Sequence, residues 1–348
     1  MKTEHPLLGH AAISLLLLTA CSGDPSDDLA DDDASETPSP TAPSQTPWTS
    51  ESPAPTPTAP PTFSADAAID QISITNWEHY VRCLSGDEPI SLGGESITLE
   101  TRYAWTDGAM DAAYFLQAEL TDLGYNVVLE PFTCSGHTSY NVVATVPGTD
   151  PERPRIVLGA HYDSIAYENP YTAAPGADDN ASGVATVLET ARVLAGYRPD
   201  ATVDFVLFGA EEVGLCGSTA YVENAIEEDE AIEGAVIIDM VGYYDADFGV
   251  VVETDQPSWS WAEPAFDALS AWTDLDAVLS LDPWGSDHMP FINNHIPAYL
   301  LIEQDWEDAP FHTKEDTYAN IHPDLGYEVT RAVVAIVGEA AMYGESRL

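Results

Sequence analysis

Side chains able to hold metal ions stand where apolar runs of this sequence end. Ile156, Val157 and Leu158 form a short apolar run that passes through Gly159 to His161 and Asp163. After the loop IAYENPYTAAPGA come Asp178 and Asp179, just before a strongly periodic stretch. Glu211 and Glu212 follow VDFVLFGA, Asp239 follows AVII, and His312 sits in APFHTKEDT after AYLLIE. Two histidines and three carboxylates are a donor set suited to two Zn²⁺ ions. Asp179, Glu212 and Asp239 bring three negative charges against the four of two zincs. The positive charge left over can hold a hydroxide, the nucleophile such centres generate near neutral pH.

Each residue alone is weak evidence. In a chain with 59 Asp and Glu, a single acid is usually solvated surface. The other histidines (His5, His10, His79, His137, His288, His295 and His322) lie outside the pattern. What singles these positions out is their recurrence at successive strand ends. In open α/β sheets, ligands bind beyond the carboxyl ends of the strands, so such ends converge.

The elements that must position them follow from periodicity. The run to Leu158 predicts a strand buried on both faces, with His161 and Asp163 pointing the same way along an extended chain. The stretch after Asp179 predicts a helix with Asn180 or Ser182 as N-cap. Residues 67–84 and 107–123 read as helices, the second stopped by Gly124. YNVVLEPF and SYNVVATVPG read as strands, rich in Val and aromatics. Then come strand ATVDFVLFGAEE, helix GSTAYVENAIEE, strands GAVIIDMVGY and FGVVVET, helix WSWAEPAFDALSAW, strand AYLLIE, and a closing helix from His322 to Tyr343. Strands alternating with helices predict an α/β domain, a mixed and mainly parallel sheet covered on both faces.

Ten Lys and Arg against 59 Asp and Glu give the 348 residues a formal charge of −49. Phosphates would be repelled, which excludes nucleic acid as a partner. Lys2, the apolar run from Ala11 to Ala20 and LTAC ending at Cys21 read as a signal peptide over residues 1–20, too short to span a bilayer. LTAC resembles a bacterial lipobox, which implies cleavage before Cys21 and a lipid on its thiol. Residues 21–63 hold DDLADDDASE and a Pro/Thr/Ser-rich run that cannot bury enough apolar surface to order itself, and so read as a tether. Residues 64–348 are the expected folded domain. The chain is then exported and held at the cell envelope, touching a membrane only through that lipid, and a monomer is expected. With Cys21 acylated, Cys83, Cys134 and Cys216 remain. Three pairings are open; Cys83 with Cys134 is one candidate, and Cys216 in GLCGS reads as a small buried hydrophobe.

HYDS, PGADDNASG, GAEEVGLCGS, IIDMVGY, SDHMPF and FHTKEDT, in this order, resemble the secreted bacterial di-zinc aminopeptidases of metallopeptidase clan MH, leucyl aminopeptidase-like, over roughly residues 76–345. The resemblance implies a three-layer α/β/α sandwich around a mixed sheet of eight strands. It implies that His161 and Asp239 bind one zinc, Glu212 and His312 the other, and that Asp179 bridges them. Asp163 would accept a hydrogen bond from His161, Glu211 would be the general base, and the peptide bond after Asp179 would be cis. The substrates would be peptides with a free N-terminus. Phe311 stands before His312 where some members carry a Tyr, so the oxyanion donor is open, with Tyr243 or Tyr244 as candidates. His288 is expected to be structural. Trp284, Met289, Phe291, Tyr243, Tyr244, Trp306 and Phe311 suggest an apolar pocket that favours Leu, Met or Phe. A carboxypeptidase or dipeptidase of the same family would need a cation for the terminal carboxylate. A metal-dead binding module would have lost a ligand.

Overall fold

The computed structural model describes residues 61–343. The expected signal peptide, Cys21 and most of the expected tether lie outside the described residues. Phe63, assigned to the tether by composition, is buried and packs edge-on against Tyr197 at 5.2 Å.

The chain begins with α1 (Ala65–Ile69) and α2 (Ile74–Leu84), then a small hairpin of β1 (Ile90–Leu92) and β2 (Glu95–Ile97). There follow α3 (Asp107–Asp122), β3 (Asn126–Cys134), β4 (His137–Val146) and β5 (Arg155–His161). A π-type turn, Ala177–Ser182, leads into α4 (Gly183–Leu194), followed by β6 (Val203–Phe208), α5 (Cys216–Glu227) and β7 (Ile232–Ile238). The remainder is β8 (Gly249–Thr254), α6 (Trp259–Trp272), β9 (Asp276–Ser280), α7 (His288–Asn293), β10 (Ala298–Glu303) and α8 (Pro323–Tyr343).

Eight strands form one sheet in the order β3-β4-β6-β5-β7-β10-β8-β9. Its centre, β6-β5-β7-β10, is parallel, while β3–β4, β4–β6 and β10–β8 pair antiparallel. Side-chain alternation divides the core into two layers. Ile156, Leu158 and Ala160 of β5 pack in the cluster with Trp77, Leu188 and Val333 from α2, α4 and α8. Val157 faces the other way, into the cluster with Val222 of α5 and Phe291 of α7. This is the expected α/β/α sandwich, and it brings the carboxyl ends of β5, β6, β7 and β10 to one edge.

The expected helix 67–84 is two helices. The chain breaks at Asp70, and Ser73 restarts it, its hydroxyl accepting from the Asn76 amide at 3.3 Å. β1, β2, β9 and α7 went unread because they have only three to six residues each and little periodicity.

Of the three open pairings the structure has one that uses Cys216, which is not the unpaired small hydrophobe expected. Cys134 is joined to Cys216, with their Cα atoms 6.0 Å apart, and Cys83 is a free buried thiol. β3 ends beside the start of α5, where Phe132, Cys134 and Ala210 form a small core of their own with Cys216 against it. The bridge therefore fastens the loop carrying Glu211 and Glu212 to the β3–β4 hairpin.

Candidate metal centre

The sheet delivers the five expected ligands to one place. His161, the last residue of β5, sets its Nε2 3.2 Å from Asp179 Oδ1 and 3.2 Å from Asp239 Oδ1. His312, on the loop after β10, sets its Nε2 3.0 Å from Asp179 Oδ2 and 3.0 Å from Glu212 Oε2. The donor atoms thus form two groups, His161–Asp179–Asp239 and Asp179–Glu212–His312, each within 4.8 Å. Asp179 belongs to both and turns one oxygen to each. Glu212 Oε1 is buried without a hydrogen-bond partner among the described residues, so it keeps lone pairs for another ligand. Donor types, spacing and the orphaned oxygen fit a pair of cations.

Local backbone holds these side chains. The Asp179–Asn180 peptide is cis, as the resemblance implies. Asn180, buried, donates to the Ile238 carbonyl at 2.9 Å and accepts from the Gly183 amide at 2.9 Å, so it locks the turn to β7 and caps α4. Asp316 accepts from the Asp178 and Asp179 amides at 2.8 and 3.1 Å. Arg102 is fully buried and donates to the Tyr162, Pro175 and Gly176 carbonyls at 2.7, 2.6 and 2.9 Å, and also to Leu84. Gly176 has φ +56, and a Cβ there would stand 2.4 Å from the Asp179 carbonyl oxygen. Ala210, beside the candidate base Glu211, Met240, beside the ligand Asp239, and His312 itself also have positive φ. Such backbone is sparsely populated for non-glycine residues and concentrates at functional sites.

Asp163 differs from expectation. His161 Nδ1 is 3.2 Å from its backbone carbonyl and 3.7 Å from its carboxylate. The carbonyl is the nearer acceptor and fixes the ring's tautomer. The carboxylate instead accepts from the Glu211 and Glu212 amides at 2.9 and 3.3 Å. It sets the turn that aims both glutamates.

Charge at this cluster is unbalanced. Burial works against protonated His161 and His312, yet the carboxylates prevail. Asp239 and Glu211 hold His161 well above the ordinary imidazole value, and Asp179 with Glu212 raises His312 to about 11. Burial, then Asp179, pushes Glu212 up to about 8. Burial would also raise Asp179, but the two imidazoles hold it below the usual carboxylate range. Burial pushes Glu211 well up, helped by Glu212, Asp287 and Asp239 against His161. Crowded carboxylates that draw protons onto imidazole are a site whose charge calls for cations.

The ligands open onto a cavity of about 300 Å³. Asp179, Glu211, Glu212, Asp239 and His312 line it together with Met240, Val251, Leu300, Ile302, Trp284 and Trp306, and Glu253 stands among these last, accepting from the Trp284 amide at 3.0 Å. Ser286 donates to Asp239 Oδ2 at 2.6 Å from the same wall. Of the expected pocket aromatics, Trp284, Trp306 and Phe311 are there. Phe291 is instead fully buried among Phe208 and Tyr221, and Met289 is not in the lining. Tyr244 donates to Asp324 and packs on His322, and Tyr243 also packs on His322, so neither reaches the cavity. Tyr167 is the tyrosine in the lining, its ring 4.8 Å from that of His312. His288 is buried outside both donor groups, 3.4 Å from Glu253.

The sequence profile of peptidase family M28 matches residues 141–337, which include every candidate ligand. The chain belongs to peptidase family M28. In this family member the ligand groups and the sheet edge coincide with the matched region. Leupeptin-inactivating enzyme 1 of Streptomyces exfoliatus is 36% identical over 188 residues, 53% of this chain and 40% of that protein. Leucine aminopeptidase 1 of Trichophyton rubrum is 28% identical over 269 residues, 70% of this chain and 71% of that one. The chain therefore spans two-fifths of the first relative's length. A zinc aminopeptidase structure from Bacillus subtilis superposes with a TM-score of 0.66 at 18% identity, covering 79% of this chain and 97% of the other. That likeness establishes a shared fold.

Proposed function

We propose that this chain is a di-zinc aminopeptidase that removes hydrophobic N-terminal residues from peptides. One observation carries the reading: two donor groups sharing Asp179 open, beside Glu211, onto a cavity that Met240, Val251, Leu300, Ile302, Trp284 and Trp306 also line. His161 and Asp239 would hold one zinc, Glu212 and His312 the other, with Asp179 between them. When bound, such a pair supplies Lewis acidity that lowers the pKa of water and polarises a carbonyl.

The chain's own residues do the rest. Glu211 takes a proton from the attacking water and gives it to the departing amine, and a carboxyl pushed up by burial is suited to holding that proton between the two steps. Tyr167, exposed beside His312, offers a hydroxyl to the developing oxyanion in place of the tyrosine absent at Phe311. The carboxylates draw the substrate's ammonium into the cavity, while Met240, Val251, Leu300 and Ile302 receive its side chain.

No Lys or Arg lines the cavity among the described residues. Lys314, next but one to His312, is exposed and lies 3.7 Å from Glu315. A carboxypeptidase would lack its cation here, which favours the aminopeptidase reading. Export, with a lipid on Cys21 and a monomeric peptidase beyond the tether, completes the proposal. The LTAC sequence and the Cys134–Cys216 bridge support it, since disulfides persist in oxidising compartments.

The test is hydrolysis of leucine p-nitroanilide and of a short peptide, each with its N-terminus free or acetylated. Activity should need the free amine, disappear on chelation and return with zinc. Release of residues from the carboxyl end, or equal cleavage of acetylated substrates, would overturn the reading.

A further inference from the structure

A second donor cluster lies away from the candidate metal centre. His79 and Cys83 are four residues apart on α2, so both project from one helix face. Beyond the helix the chain reverses through Gly86, at φ +77, where a Cβ would meet the Leu99 carbonyl oxygen at 2.5 Å. The Glu88 amide then donates to the Arg82 carbonyl at 3.0 Å, which folds Glu88 back on the helix end. Its Oε2 stands 3.2 Å from His79 Nδ1. The Cys83 sulfur lies 3.9 Å from the same nitrogen and 3.7 Å from Nε2. One donor atom from each residue falls within 4.8 Å of the others.

The separations of His79 from Glu88 and from Cys83 are close to those of a tetrahedral zinc site. Donors about 2.0–2.3 Å from zinc lie roughly 3.3–3.6 Å from one another at tetrahedral angles. Thiolate, imidazole and carboxylate together suit zinc better than the hard cations, which take oxygen alone. Arg82 binds Asp87 and approaches the other oxygen of Glu88, Oε1, at 4.0 Å, leaving Oε2 turned to His79. Cys83 is buried while His79 and Glu88 are about half exposed, so an ion can enter from solvent and meet a shielded sulfur. Among the described residues Cys83 has no disulfide partner, and it belongs to neither donor group of the candidate centre.

We propose that His79, Cys83 and Glu88 form a further zinc site, separate from the candidate centre, that clips the end of α2 to the turn after it. Binding takes the proton from the Cys83 thiol and releases it to solvent as the zinc–sulfur bond forms, and the fourth position is left to water.

Sulfur gives the test its selectivity, because none of the five candidate centre ligands carries it. The full chain is stripped with a chelator and titrated with Co²⁺ while the near-ultraviolet sulfur-to-cobalt charge-transfer band is followed. Zinc per chain is then measured after reloading. The band should appear in the wild type, vanish in Cys83→Ala, and need at least about tenfold more Co²⁺ in His79→Gln and in Glu88→Gln. Each variant should carry one zinc fewer than the wild type and cleave leucine p-nitroanilide as the wild type does. His79 and Glu88 are exposed, so their variants leave the core intact. A wild type without the band, or a band unchanged in His79→Gln and Glu88→Gln, would overturn the proposal. Either result leaves the reading of the candidate centre untouched.

Discussion

Around the candidate ligands, the buried end of the site, His161 exposes 1% of its surface and Asp179 5%; at the exposed end Trp284 exposes 61%. The buried end is fixed many times over. Asn180, Asp316, Arg102 and the Asp163 carboxylate each hold backbone that carries a ligand or leads to one. The exposed end is a wall of rings in contact, Trp284 on Trp306 at 5.6 Å and Trp306 on Phe311 at 6.2 Å, held to the sheet through the Trp284 amide on Glu253. Substitutions at the buried end should therefore remove chemistry outright, and those at the exposed end should regrade substrates.

The largest effects should come from Asp179 and Glu211, and the two should separate. Asp179→Asn removes a charge from both donor groups, so zinc content should fall at both positions and activity should be lost with it. Glu212→Gln should empty one position. Glu211→Gln keeps all five ligands, so zinc content should stay whole while kcat falls by about 10²–10⁴-fold. Metal analysis beside kinetics checks this. Near-wild-type turnover in Glu211→Gln would remove it from the proton-transfer role.

Tyr167→Phe comes next. Loss of one oxyanion donor costs about 10²–10³-fold where the donor is enclosed, and Tyr167 is exposed, so the lower part of that range is expected. The fall should lie in kcat with KM nearly unchanged. A rise in KM alone would make Tyr167 part of substrate binding.

The same contrast explains what the sequence revealed. Apolar runs ending in His, Asp or Glu were readable because strand burial and polar termination are local signals, and the order of six motifs supplied the rest. The residues that position the ligands gave no such signal. Asp316 meets Asp178 across 138 positions and Arg102 meets Gly176 across 74. In so acidic a chain Asp316 looks like any solvated acid, and an isolated Arg shows nothing of the carbonyls it will hold. The cysteine pairing stays open in the sequence for the same reason: only the folded hairpin shows that Cys134 lies beside α5. Tyr167 sits in the loop IAYENPYTAAPGA, whose composition has no period to place it, whereas Tyr243 and Tyr244 follow a ligand in sequence and turn away from the cavity.

At the exposed end the side-chain panel should be graded rather than absolute. Each methylene received by Met240, Val251, Leu300 and Ile302 is worth roughly 1 kcal/mol, so Leu over Ala should approach about a hundredfold in kcat/KM. N-terminal Asp and Glu should be poorest, because their carboxylates meet the acidic field. Trp284→Ala should narrow the difference between Leu and Ala without lowering zinc content. An amino-acid panel led by Asp or Glu would show that the field does not select.

The smallest effect expected is on stability against pH, and it tests the buried end without catalysis. In the chelated protein, Asp287 and Asp316 are raised by burial to about 7 from 3.8, and Glu212 to about 8 from 4.5. Its carboxylate neighbours raise His312 to about 11 from 6.5. Each group binds its proton more tightly folded than unfolded. That contribution is complete below the unfolded value and is lost as pH rises through the folded one. Asp179 is shifted the other way, so its contribution is present above 3.8 and lost in acid. These shifts predict that the chelated protein's melting temperature falls as pH rises from about 5 to about 8. Zinc requires the same groups deprotonated, so the stability it adds should grow over that window. Thermal melts with and without zinc should therefore diverge as pH rises; curves that stay parallel would mean these carboxyls and imidazoles do not share the site.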